Sequence, residues 1–152
     1  DEKFDFVYSS LVMHYVEFWE KTLNSISAVM KNGTTFLFST HHPATWGAQR
    51  MRTEDGRTSL LGYKKQKKNQ ECEVVGDYLN TRKINDVWFG NFDVSYYHRS
   101  LESIMSDIFK SDFEIVDFAE PKAIPAVKEK DKVFYEIHDK IPLFMIFALR
   151  KK

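Results

Sequence analysis

Apolar residues at the start of the chain follow two successive rhythms. Phe4, Val7 and Tyr8 make a short apolar run that stops on Ser9 and Ser10, which predicts a buried strand. Val16, Trp19, Leu23, Ile26 and Met30 then recur at three- and four-residue intervals, with Glu17, Glu20, Lys21 and Asn24 between them, the stripe of an amphipathic helix. KNG at 31–33 closes that helix, since Gly33 is free to take the left-handed cap conformation. TTFLFST at 34–40, rich in β-branched and aromatic residues, is a second buried strand. Strand, helix, strand within about forty residues is a βαβ unit and predicts a parallel pair with a right-handed crossover.

Between His41 and Phe92 the pattern loosens, with Pro43, Gly47, Gly56, Gly62, Gly76 and Gly90 set among charges. The stretch is too long for a plain loop in a compact domain. CEVVGDYL at 72–79 and FDVSYYHR at 92–99 have extended character, so an irregular, lid-like excursion is expected at about 41–92, hairpin-like and covering one edge of the sheet. Ser100 then caps a helix with Leu101, Ile104, Met105, Ile108 and Phe109 on one face. FEIVDFAEP at 113–121 is a third core strand, ended by Pro121, and KEKDKVFYEIHDK at 128–140 reads as a short helix. PLFMIFALR at 142–150 is a fourth core strand, apolar almost throughout and so expected to be covered on both faces. The expected class is α/β, a mixed sheet of about four main strands with flanking helices.

Composition narrows the partners. Within 152 residues, 22 basic side chains balance 22 acidic ones, so nothing favours nucleic acid, and the basic cluster YKKQKK at 63–68 reads as a solvated loop. The single cysteine, Cys72, allows no internal disulfide and suits a reducing compartment. No apolar run approaches the ~20 residues of a spanning helix, and DEKFDF lacks the pattern of a signal peptide. A cytoplasmic protein without a membrane partner is expected.

In order, FDFVYSSLVMHYV, a helix, VMKNGTTFLFSTHHP, YYHRSLESIMSDIFKSDFEIVDFAEP and PLFMIFALRKK resemble the C-terminal half of class I S-adenosylmethionine-dependent methyltransferases, the small-molecule, type 11-like group that includes quinone-biosynthesis enzymes. The resemblance excludes only about 44–70. It implies a partial Rossmann-like methyltransferase fold in which 1–152 form the C-terminal part of one domain and supply the fourth to seventh strands, the last antiparallel and inserted between the fifth and sixth. Asn32 stands where the family often has proline, and Asp112 where glycine commonly precedes the phenylalanine. The family's glycine-rich cofactor turn and its acidic ribose partner have no counterpart, since all six glycines follow the first βαβ helix and none forms G-x-G. A fragment that lacks the cofactor motif, inactive by itself, is therefore expected.

Methyl transfer is an in-line displacement in which the cofactor carries the reactivity and the protein supplies alignment and a dry cavity. A hydroxyl or ring-carbon acceptor also needs a base, and imidazole suits that at neutral pH. His14 and His41, which follow the first two strands, are the catalytic candidates. The resemblance sets Ser9, Ser10, Leu11 and Tyr15 against S-adenosylmethionine, and His42, Trp46, Tyr97 and His98 against the acceptor. Each has a plainer reading. His41 and His42 cannot both face one cavity from an extended loop, His98 suits a structural or lid contact, and His14 either lines the pocket or hydrogen-bonds a neighbouring loop. Ser9 and Ser10 lack the glycines of a nucleophile elbow. His41, His42, His98 and Cys72 have neither zinc-finger nor H-E-x-x-H spacing, so no metal is expected. Trp46, Tyr78, Trp88, Phe89, Tyr96 and Tyr97 crowd the loose region and its sequel; they form either a lid for an apolar or planar acceptor or an aromatic mini-core.

Two functions follow: a small-molecule methyltransferase represented by its substrate-side half, or a non-catalytic half-domain that associates with itself or another chain. A nicotinamide-dependent oxidoreductase is excluded by the absence of a dinucleotide fingerprint and of a Tyr-x-x-x-Lys pair. The strand Phe4 to Tyr8, broken only by Asp5, is expected to be an unprotected sheet edge, through which a homo-oligomer would form.

Overall fold

The computed structural model describes residues 3–46, 63–65, 72–74 and 76–152. Four strands form the central sheet: β1 (Phe4–Ser10), β2 (Met30–His41), β7 (Phe113–Ala119) and β8 (Phe144–Lys151), in the order β1-β2-β8-β7. β1 and β2 are parallel, with Val7 opposite Phe36 and Ser10 opposite Ser39, as the βαβ pattern predicts. β8 lies antiparallel to both of its neighbours, β2 and β7. Two short ladders stand apart from this sheet: β3 (Tyr63–Lys65) with β4 (Cys72–Val74), and β5 (Arg82–Trp88) with β6 (Phe92–His98).

One sheet face is dry. Alternate residues Phe36, Phe38, Met145, Phe147 and Leu149 are fully buried there against Trp19 and Leu23 of α1 (Trp19–Ala28) and Ile104 and Ile108 of α3 (Leu101–Phe109). Phe38 stacks on Phe147 at 5.2 Å and meets Trp19 edge-on at 5.6 Å, an arrangement aromatic quadrupoles favour. The intervening residues Leu37, Ile146 and Ala148 are only half-buried, so β8 is not sealed on both faces as its apolar run predicts.

The first helix is shorter than its stripe. A 3₁₀ turn at Met13–Tyr15 precedes α1, and Met30 belongs to β2 while remaining fully buried. Gly33 does take a left-handed φ of +79°, but inside β2: the pairing jumps from Phe4 opposite Met30 to Phe6 opposite Thr35, and the extra residues loop out around the glycine. Ser100 caps α3, its Oγ accepting from the Ser103 amide at 3.2 Å, a contact that contributes about 1 kcal/mol. Phe109, expected on the apolar face, points outward because the helix ends there. β7 stops at Ala119, before Pro121, and the short helix α4 (Lys132–His138) falls within its expected span, with Asp131 as cap.

The pattern predicts no strand at 82–88, yet β5 pairs along its whole length with β6. This hairpin does not run along a sheet edge. It lies against the Met13–Tyr15 turn, held by the Tyr97 hydroxyl donating to Glu17 Oε2 at 3.0 Å and by Arg99 donating to the Glu17 carbonyl. The remaining helix, α2 (Pro43–Trp46), directly follows β2. Of the residues expected to form the excursion, Gly47, Gly56 and Gly62 lie outside the described residues, as do Lys67 and Lys68 of the basic cluster. No helix among the described residues is long and apolar enough to cross a membrane.

Candidate functional site

At the carboxyl end of β1 the backbone turns sharply. Leu11 adopts a φ of +52°, and its amide donates to both the carbonyl and the Oγ of Ser39 on β2, each at 3.1 Å. The indole of Trp19 donates to the Met13 carbonyl at 2.8 Å and clamps the 3₁₀ turn. These contacts fix His14, whose ring is 3% exposed and whose Nδ1 lies 3.4 Å from Thr40 Oγ1.

His14 is the first rung of a ladder. Its ring stacks on His41 at 3.5 Å and 7°, and His41 stacks on Trp46 at 3.8 Å and 3°. Tyr96 of β6 meets all three rings edge-on, at 6.5, 5.1 and 5.7 Å. Trp46 is oriented from behind, its indole donating to the Leu143 carbonyl at 3.0 Å. Burial drives the pKa of His14 down to about 4, so its imidazole is neutral at pH 7.

Beside the ladder an open groove of about 1090 Å³ runs to the hairpin tip. Leu11, His14, Tyr15, His41, Trp46 and Phe144 form its sheet side, and residues 85–90 form the other. The predicted site residues therefore divide. His14, His41, Leu11, Tyr15 and Trp46 converge on the groove; Ser9, Ser10, His42, Tyr97 and His98 do not line it. His42 donates from Nε2 to Glu120 Oε1 at 2.7 Å, while its Nδ1 accepts from the Ala44 amide at 3.2 Å, which pins the start of α2 to the end of β7. His98 donates from Nε2 to the Tyr78 carbonyl at 2.8 Å, and burial, only partly opposed by that bond, lowers its pKa. Tyr97 and His98 border instead a small, partly open void of about 20 Å³, room for a single water. Asn85, Asp86 and Phe144 escape the sequence reading: only the folded hairpin sets the first two opposite the strand ends, and only the pairing of Phe144 with His41 brings the start of β8 to the groove. No three His, Cys, Asp or Glu side chains among the described residues are placed to hold a metal.

A family model described as a methyltransferase domain matches residues 1–38, the βαβ unit that carries this corner. Over nearly its entire length the chain superimposes on an S-adenosylmethionine-dependent methyltransferase of Mesorhizobium loti, with a TM-score of 0.69, 23% identity and coverage of 97% of this chain and 62% of that one. The fold is that of a class I S-adenosylmethionine-dependent methyltransferase. A Listeria monocytogenes protein provisionally described in the same terms aligns with a TM-score of 0.74, 23% identity and coverage of 99% of this chain and 63% of that one. An uncharacterized Haemophilus influenzae protein is 26% identical over 148 residues, which is 97% of this chain and 54% of the relative. The chain thus spans about half the length of the curated relative and under two thirds of these structures. In the methyltransferase fold, the antiparallel β8 between β2 and β7 is the inserted last strand that the motif order implies. The groove opens at the carboxyl ends of the parallel strands, where open α/β sheets hold their ligands.

Proposed function

We propose that this chain supplies the acceptor side of methyl transfer from S-adenosylmethionine to a small planar molecule. The observation that carries the reading is the aromatic groove at the carboxyl ends of β1 and β2, in a methyltransferase fold. The cofactor, when bound, supplies an electrophilic sulfonium methyl. The chain's own residues align and shield. Ring faces from Tyr15, Trp46 and Trp88 suit both a flat acceptor and a nearby cation. His14 is held neutral, so it accepts a hydrogen bond from the acceptor but is too weak a base to pull a proton from an unactivated hydroxyl.

The fit to the cofactor is one-sided. Leu11 and Tyr15 would border its sulfonium end, with Ser9 and Ser10 behind them, but none of the six glycines of this sequence forms the G-x-G turn that would let backbone approach the cofactor. The described glycines at positive φ, Gly33 and Gly90, lie at the start of β2 and at the hairpin tip, away from the corner at Leu11. Titration calorimetry of this chain with S-adenosylmethionine should accordingly show no micromolar binding; tight binding would mean that another segment replaces the glycine turn. The function itself is tested by transfer of labelled methyl groups to planar acceptors by the full-length protein. His14→Ala should lower the single-turnover rate while cofactor affinity holds, and absence of transfer to any such acceptor would overturn the reading.

A second reading, a self-associating half-domain, is supported by β1. It pairs on one side only among the described strands, and Phe4, Phe6 and Tyr8 are 59%, 54% and 61% exposed.

A further inference from the structure

Charge is distributed unevenly around the groove. Among its described lining residues there is no Lys or Arg, His14 is neutral, and one carboxylate, Asp86, faces in from β5. Asp86 is fixed by its own hairpin: Oδ1 accepts from the Val87 amide at 2.8 Å and Oδ2 from the Trp88 indole at 3.2 Å. A carboxylate has about four acceptor sites, so two such bonds orient the group and leave lone pairs for a ligand. Tyr15, Trp46, Trp88, Phe89 and Phe144 add aromatic faces to the wall, beside Leu11, Asn85, Val87 and Gly90.

The rim adds a second feature. Phe89 at the hairpin tip has a φ of +54°, followed by Gly90 at +81°, and its side chain is 94% exposed. A bulky residue in the left-handed region costs of order 1 kcal/mol or more, and no packing among the described residues offsets it. Asparagine or glycine would form this turn more easily.

We infer that the groove selects planar molecules bearing a positive charge or an amino group. Asp86 chooses the charge, and Phe89 stacks on the ligand at the rim. The inference rests on the reading of the groove as an acceptor site, and it specifies the class of acceptor. Aromatic faces attract cations through their quadrupoles, and a carboxylate in the same groove adds to that attraction while repelling anions.

The test is calorimetry on the wild-type chain with two bicyclic probes of matched size, N-methylquinolinium and 1-naphthoate. The cation should bind at least about tenfold more tightly, equivalent to ~1.4 kcal/mol. Asp86→Asn, which keeps an oxygen acceptor for the Trp88 indole, should reduce the preference severalfold, with circular dichroism confirming the fold; Asp86→Ser is the second variant should the first be unstable. Phe89→Gly should weaken binding of the cation severalfold while raising Tm, because it removes the backbone strain; a residue serving the turn alone would raise Tm and leave binding unchanged. Equal affinity of the wild-type chain for the two probes, no binding of either, or a preference that survives undiminished in the Asp86 variants would overturn the inference. None of these readouts requires methyl transfer, so a selective groove in a protein without transferase activity would separate this inference from the functional reading beneath it.

Discussion

Acidification from about pH 7 to about pH 4 should cost this fold about 3 kcal/mol through His14 alone. The imidazole titrates near 6.5 when unfolded and near 4 when buried, so the unfolded chain binds more protons between those values. The stabilisation is present above about pH 6.5 and is lost as pH falls toward 4. His98, whose pKa burial also lowers, adds to the loss in the same direction. Asp107, raised by burial, works the other way, but it titrates from the carboxylate range, so the first losses belong to the histidines. Urea midpoints measured at several pH values between 7 and 4.5 should fall steadily for the wild type and more shallowly for His14→Gln. Parallel profiles would place His14 in contact with water, contrary to its position beneath the His41 ring.

The edge of β1 should govern assembly. With Phe6 and Tyr8 turned outward, and no described strand paired along one side of β1, a second copy can continue the ladder and cover the aromatic surface together. Sedimentation at micromolar concentration should therefore give a species heavier than the 17.9 kDa chain. Phe6→Lys combined with Tyr8→Lys should return it to the monomer with little change in Tm, because both side chains are already exposed. A wild-type chain that sediments as a monomer would remove the ground for the self-associating reading. Asp5, the edge's own charge, is engaged by Lys31 Nζ at 2.7 Å across the strand pair.

The main sheet was legible because its strands are apolar for local reasons. β2 and β8 line a core that α1 and α3 cover, and their runs of Phe, Met and Leu say so without tertiary information. β5 was not legible: its inward residues are Ile84, Asp86 and Trp88, an alternation broken by a carboxylate. The same residue that hides the strand gives the groove its charge. His14 and His41 stood out as strand-end histidines, but their stacking required the parallel register that sets Ser10 opposite Ser39. The boundary of α1 failed for a comparable reason. Val16 and Met30 fit the helical stripe because both pack toward the core, one from just after the 3₁₀ turn and one from β2, and spacing cannot distinguish elements that share a core face.

The place of β8 between β2 and β7 bears on how the molecule comes together during synthesis. On a ribosome, β2 and β7 emerge first, and each must wait with an open inner edge until residues 144–151 leave the exit tunnel. No stepwise zippering from the amino terminus can close this sheet. Its middle is laid last, by contacts that span more than a hundred residues, such as Phe38 with Phe147. Such long closures slow folding and prolong the exposure of apolar strands. A nascent chain stalled before Phe144 would thus display two sticky, unmatched ribbons, and it is at that stage, rather than after release, that the protein would depend most on a chaperone.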